Sequence, residues 1–304
     1  MRIGIDHLET LLHVVDEGSF DGAAAVLRIS PSAVSQRIKT LEERAGRVLL
    51  QRGKPVTPTP AAVSYLQAAR QIRAIVDNTI EALPQEATRL PEISIAANAY
   101  SIDTWLVEVL SSVRDTATFH ILRDDQDHTA SLLRAGTVMA GITSTAEPVQ
   151  GCESTRLGVM RYLATASPEF VAQWFPPNLK DSHALRLALQ RAPMLAFDRK
   201  DDLQALYLAS RGCGDATPPH HYIPSNLAFI EAQRQELGWG LTPELQVRGL
   251  LDSGELVALP GHVDVVLYWQ QWRISSAPLQ ALKKAAVDAA AYLLDPRRPA
   301  AWKP

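Results

Sequence analysis

The chain has 304 residues, 46% of them hydrophobic, with a formal net charge of −3 and a mean hydropathy of −0.06. That size and composition suit about two globular domains and exclude a membrane protein, since no apolar run approaches the roughly 18 residues of a spanning helix. The opening MRIGIDHLETLL carries early acids and no small-residue cleavage site, so it does not read as a signal peptide and the expected location is the cytoplasm. Cys152 and Cys213 lack CxxC spacing and read as reduced structural thiols rather than a disulfide or metal site.

In chain order, Asp6 is the expected cap of a first helix, Leu8 to Glu17, with Leu8, Leu11, Leu12 and Val15 on one face and Gly18 ending it. Ser19 to Glu43 reads as two short helices joined by a tight corner. Ser19 caps the first, and Ala23, Ala24, Val26 and Leu27 form its packing face. Ser30 caps the second with Pro31 at its first position, where a missing N–H costs nothing. Ala33, Val34, Ile38 and Leu41 recur at helical spacing and should face inward. Ser32, Ser35, Gln36 and Lys39 are left outward, with Arg37 on the flank; such groups read base edges and grip phosphates. The spacing alone allows either a helix-turn-helix or an ordinary amphipathic helix pair with a solvated polar face. Charge favours the first. Between Gly22 and Pro60 stand seven cations, Arg28, Arg37, Lys39, Arg44, Arg47, Arg52 and Lys54, against the two acids Glu42 and Glu43. A local basic patch on a mildly acidic chain is the footprint of phosphate contact.

The stretch SFDGAAAVLRISPSAVSQRIKTLEERAGRVLLQR resembles the N-terminal domain of LysR-type transcriptional regulators. The resemblance implies a winged helix-turn-helix that binds double-stranded operator DNA. The DNA-binding candidates are Ser19, Pro31, Ser32, Ser35, Gln36, Arg37, Lys39, Arg52 and Lys54. The family often has Gln where this chain has Pro31, so any base contact made by that Gln is absent here.

Val48–Leu50 and Pro55–Thr57 flank Arg52-Gly53-Lys54 and read as a two-stranded wing with a basic tip. Thr59-Pro60 opens a long helix to about Leu83 whose apolar residues follow a three-four alternation. A partner helix from a second subunit would bury that face, and packing against its own domain is the alternative. In the family this is the dimerisation linker helix, and family members tend to dimers or tetramers. Pro84 stops it and Gln85–Pro91 reads as a linker.

From Glu92 strands alternate with helices, which implies a parallel sheet covered on both faces. Two α/β units are expected, joined by crossings near Met160–Leu163 and Leu267–Gln270. That layout resembles the family's two-lobed effector region, which is similar to a periplasmic binding protein. The fold class is therefore α+β multidomain. The winged helix-turn-helix takes 1–59, the linker helix 60–90 and the effector region 91–304. Lobe I is about 91–162 with 268–304, and lobe II about 163–267.

Ligands of open α/β sheets bind beyond the carboxyl ends of strands. Three such ends are Asn98-Ala99-Tyr100-Ser101, Asp124-Asp125-Gln126-Asp127-His128 and Asp198-Arg199-Lys200-Asp201-Asp202, with Thr143 and Ser225 facing the same cleft. The first suits a carboxylate. The two acidic ends suit a cationic ligand, or else merely cap helices and offset their dipoles. DQDH, MRYLATASPEF, AFDRKDDL, GWGLTPE and LYWQQW are similar to the LysG/ArgP subgroup of the family. The resemblance implies a lysine or arginine effector and control of amino-acid export. The effector candidates are Asn98, Tyr100, Ser101, Asp103, Asp124, Gln126, Asp127, Thr143, Asp198, Asp202 and Ser225. Where the subgroup has Asn-Ala-Asp-Ser, this chain has Tyr100 in place of the acid. Asp103, three residues on along a helix, is the expected substitute; otherwise the effector is altered.

An enzyme or a solute receptor would be the competing readings. No nucleophile elbow, glycine-rich phosphate loop or HExxH is present. His220 and His221 are adjacent on a strand and point to opposite faces, which disfavours a shared metal. No cofactor is expected. The basic helix-turn-helix argues against a receptor.

Overall fold

The computed structural model describes residues 3–51, 53–81, 90–123 and 126–295. Three helices, α1 (Ile5–Asp16), α2 (Phe20–Leu27) and α3 (Pro31–Ala45), form the N-terminal unit. Its start signals act as local chemistry dictates. Ser19 Oγ accepts from the Gly22 N–H at 3.0 Å and Ser30 Oγ from Ala33 at 3.2 Å. Gly46 ends α3 with a left-handed φ of 64°. The first helix departs from expectation: it starts at Ile5 after Gly4, no side chain caps it, and Asp6 lies in its first turn. Leu11, Leu12, Val34, Ile38 and Leu41 fill the core of this unit. Each such side chain contributes about 1.5–3 kcal/mol on burial.

The wing is smaller than its sequence suggests, with β1 (Leu50–Gln51) paired to β2 (Thr57–Pro58). Glu42 anchors it, because one carboxylate oxygen accepts from the Leu49 and Leu50 N–H groups at 2.8 and 3.2 Å. A 3-10 turn, Pro60–Ala62, leads into the linker helix α4 (Val63–Glu81). Leu66, Ala69 and Ile72 of α4 pack into the N-terminal core. The stretches 85–89 and 296–304 fall outside the described residues.

The rest is built on a sheet in the order β4-β3-β5-β10-β6-β9. Its strands are β3 (Glu92–Ala97), β4 (Thr118–Arg123), β5 (Ala140–Thr143), β6 (Cys152–Ala166), β9 (Gly240–Pro243) and β10 (Val257–Trp272). A parallel pair, β7 (Met194–Ala196) and β8 (His220–Tyr222), joins β9 through a bridge between Met194 and Trp239. The expected all-parallel sheet is corrected. β3, β4 and β5 run parallel, but β10 is antiparallel to β5 and β6, and β9 is antiparallel to β6. The two expected crossings lie within β6 and β10, long strands paired along most of their length, and this ribbon runs through both lobes. Lobe I pairs with it at Tyr268–Gln271, and lobe II at Tyr162–Thr165. The β6–β10 register shifts within the lobe II anchor, between Ala258 and His262, and at the edge of the lobe I anchor, between Leu267 and Tyr268.

Helices cover the sheet. In lobe I they are a rod of α5 (Ala99–Ser101), a π turn (Ile102–Leu106) and α6 (Val107–Ser112), then α7 (Gln126–Ala135) and α13 (Ala277–Leu293). In lobe II they are α8 (Pro168–Trp174), α9 (Ser182–Leu189), α10 (Leu203–Ser210), α11 (Asn226–Arg234) and α12 (Glu244–Ser253). One apolar cluster, from Ile93 and Trp105 to Phe170, Trp239 and Leu282, is continuous across both lobes. Among the described residues no helix is long and apolar enough to cross a membrane.

Candidate DNA interface and effector cleft

Helix α3 leaves Pro31, Ser32, Ser35, Gln36 and Lys39 exposed while Val34 and Ile38 are buried. Ser32 Oγ lies 2.8 Å from Ser30 Oγ, and Lys39 Nζ is 3.9 Å from Glu43. Arg37 turns back onto α1, donating to Thr10 Oγ1 at 3.3 Å and lying 3.8 Å from Asp6. Ser19 is half-buried and its hydroxyl serves the α2 cap. Of the sequence candidates, Ser35, Gln36 and Lys39 face solvent as a set, whereas Arg37 and Ser19 hold the frame. Lys54 is exposed at the wing; Arg52 lies outside the described residues.

The second candidate site lies where β3 runs into α5. Asn98 caps the helix there, its Oδ1 accepting from the Ser101 N–H at 2.7 Å. Asn98 Nδ2 and Ser101 Oγ are buried without a hydrogen-bond partner. A buried donor left so costs about 1–3 kcal/mol, so a ligand or water there would be stabilising. Tyr100 is buried beside them, edge-on to Tyr162 at 5.3 Å between ring centroids and 6.0 Å from Phe197. Tyr162 is fully buried and its hydroxyl has no protein partner. The Arg123 guanidinium lies over the Phe197 ring at 5.4 Å.

The loop after Phe197 turns one acid inward, and it is Asp201. Its carboxylate accepts from the Phe197 N–H at 2.9 Å and the Leu203 N–H at 3.2 Å. Burial raises its pKa, while these amides and Gln204 hold it down. Asp198 accepts from the Lys200 N–H at 2.7 Å, and Asp202 is exposed and makes no cap bond. Burial raises the pKa of Tyr100 well above its ordinary value and that of Tyr162 as well, and Asp201 adds to both, so the two phenols are neutral near pH 7.

Across the cleft, Asn226 Nδ2 of α11 donates to Asp103 Oδ2 at 2.7 Å, tying lobe II to lobe I. Asp103 therefore already has a protein partner. Ser225 is exposed and caps α11. Thr143 Oγ1 donates to the Thr145 carbonyl at 3.1 Å and accepts from Gln270 Nε2 at 3.1 Å. Asp124 lies outside the described residues, as do the side chains of Gln126 and Asp127, whose backbone opens α7.

Residues 5–63 match the model of the bacterial regulatory helix-turn-helix protein, lysR family. The lysine export transcriptional regulatory protein LysG of Corynebacterium efficiens is 42% identical over 288 residues, 93% of this chain and 97% of its own length. This chain belongs to the LysR family of transcriptional regulators. The crystal structure of ArgP from Mycobacterium tuberculosis overlays on this regulator with a TM-score of 0.87 at 36% identity, covering 96% of this chain and 98% of that one. Full-length LysG of Corynebacterium glutamicum with bound effector Arg gives 0.78 at 40% identity, over 95% and 98%. The two units of this LysR-type regulator are thus the DNA-binding and effector-binding parts of one transcription factor, not an enzyme.

Sequence reasoning missed Arg123, Tyr162, Phe197 and Asn226, which the fold brings to the candidate cleft of this regulator, and within the acidic strand end 198–202 it favoured Asp198 and Asp202 over Asp201. Tyr162 and Phe197 read locally as strand hydrophobics. Asp201 and Asp202 are adjacent and chemically identical, and only the turn of the loop separates them. Arg123 ends β4 beside a run of acids, which masked it.

Proposed function

We propose that this regulator binds lysine or arginine between its lobes and controls genes of amino-acid export or metabolism from the cytoplasm. The observation that carries this is the pair of buried, unpartnered donors, Asn98 Nδ2 and Ser101 Oγ, at the lobe seam. They suit an amino-acid carboxylate, and Asp201 and Asp103 supply acid nearby. The likeness to LysG with bound Arg points the same way. The partition into 1–59, 60–90 and 91–304 follows the same reading. So does homodimer or homotetramer formation, supported by α4, which leaves Val76 46% exposed beyond its contacts with the N-terminal core. Base and phosphate contact falls to Ser32, Ser35, Gln36, Lys39 and Lys54.

The second reading is the same regulator sensing a different small metabolite. It is favoured by Tyr100, a neutral ring where a cationic effector would be served better by an acid. Thermal unfolding against an amino-acid panel separates the two. An effector at 100 times its Kd stabilises by about 2.7 kcal/mol. A rise in Tm with lysine or arginine alone supports the first reading. A rise with another metabolite and neither of these supports the second.

A further inference from the structure

Tyr100 starts in lobe I and ends against lobe II. Its hydroxyl points to the Leu241 carbonyl at 3.5 Å. Its ring partners are Phe197, of lobe II, and Tyr162, on the ribbon where β9 pairs with it. A tyrosine serving only the core of its own lobe would be walled by that lobe. This one bridges the seam and is only 7% exposed. Its immediate neighbours include three polar groups that are buried and unpartnered: Asn98 Nδ2, Ser101 Oγ and the Tyr162 hydroxyl. Buried polar groups in a native fold find a hydrogen-bond partner, and here that partner would be water or a ligand. The chain directly after Tyr100 winds into a π turn, Ile102–Leu106, a form that concentrates at functional sites.

We propose that Tyr100 gates the effector cleft as an internal occupant whose ring an amino-acid effector must displace, so that the ring sets the effector concentration the regulator requires. This deepens the reading that the cleft is the effector site and rests on it. Displacing the ring opens the space beside the three unpartnered groups, with the Asp201 carboxylate close enough to act on both phenols. Only the fraction of molecules with the ring out is competent to bind. Apparent affinity is the intrinsic affinity reduced by that fraction, so a ring seated nine-tenths of the time costs about tenfold.

The test is calorimetric titration of the full-length protein with arginine and with lysine, for wild type, Tyr100→Phe, Tyr100→Leu and Tyr100→Ala. The expected result is that Tyr100→Ala and Tyr100→Leu bind about tenfold more tightly, while Tyr100→Phe, which keeps the ring, stays near wild type. Equal or weaker binding by the folded small variants overturns the proposal and makes Tyr100 a wall residue or plain core. Tyr100→Leu, which retains apolar bulk, serves if Tyr100→Ala does not fold. As a further measurement, wild type carrying 3-fluorotyrosine at position 100 should show its fluorine resonance move on saturation with arginine; an unmoved resonance at saturation overturns the proposal. If neither amino acid binds wild type or any variant, the basic amino-acid reading fails and the proposal fails with it. If wild type binds and the folded small variants bind no better, the proposal alone fails.

Discussion

Arg70 of the linker helix donates to the Ala135 carbonyl at 2.7 Å. The same guanidinium meets Asp16 of α1 at 3.2 Å. One side chain therefore clasps the end of α7 in the effector region to the end of α1 in the DNA-binding unit. Helix α7 begins at Gln126, next to the acidic strand end, so it runs from the candidate cleft to this clasp.

Arg70→Ala is expected to cost about 1.5–3 kcal/mol, as for hydrogen bonds to a charged group. Urea unfolding checks it. Asp16→Asn should cost less, because the bond to Ala135 survives. A variant Arg70→Ala as stable as wild type would show that the clasp contributes nothing net.

Gly136 sits behind the same clasp with φ of 70°. A Cβ there would lie 2.6 Å from the Trp272 ring, which is fully buried and donates from Nε1 to the Leu133 carbonyl at 3.2 Å. Gly136→Ala combines left-handed strain with overpacking, at about 2 kcal/mol or more. Differential scanning calorimetry should show a clearly lower Tm, whereas Gly249→Ala, with open space around its Cβ, should not.

Helix α3 allows stability and DNA contact to be pulled apart. Ser30→Ala removes a cap and should lower stability by about 1 kcal/mol. Gln36→Ala and Lys39→Ala change exposed groups and should leave the melting curve nearly unchanged. Gln36→Ala is expected to lose about 1–3 kcal/mol of discrimination between operator and a mismatched site. Lys39→Ala should weaken binding to all sequences and reduce the salt slope by about one. Mobility-shift titrations at several salt concentrations decide both. Unchanged slope and affinity would remove Lys39 from the interface.

Two acids should respond to pH in opposite directions. The Arg161 hydrogen bonds, at 2.8 and 2.9 Å, hold the Asp264 carboxyl below its usual range. Its stabilisation is present above the unfolded pKa and lost as pH falls through the lowered folded value. Asp264→Asn should thus melt below wild type at pH 7, with the gap closing in strong acid; it is modest and salt-sensitive, because the pair is partly exposed. Burial raises the Asp201 pKa instead. Its charge is a burden at neutral pH that is relieved as pH falls through the raised folded value, so wild type should gain on Asp201→Asn over that window. Melting curves across the acid range test both signs.

The three N-terminal helices were legible because their signals are local. Ser19, Ser30, Pro31 and Gly46 act within a few residues, and Val34, Ile38 and Leu41 reveal the inner face by period alone. Most helices of the effector region were legible for the same reason. The long strands were not, since most of β6, Cys152–Arg161, carries charges and hydroxyls that read as loop until β10 pairs with it.

By itself the sequence determined the helices, through caps and periodicity written within short windows, and, through its resemblance to a known family over long motifs, the DNA-binding unit and the two-lobed effector region. The tertiary structure alone decided which groups share the cleft. Tyr100 lies 141 residues from Leu241, and Asp103 lies 123 from Asn226. Contacts at such separations depend on how β6 and β10 align the two lobes, and no local pattern encodes that alignment. It also decided that the Asp201 carboxylate is held by the Phe197 and Leu203 N–H groups and Asp198 by that of Lys200, while Asp202 is exposed.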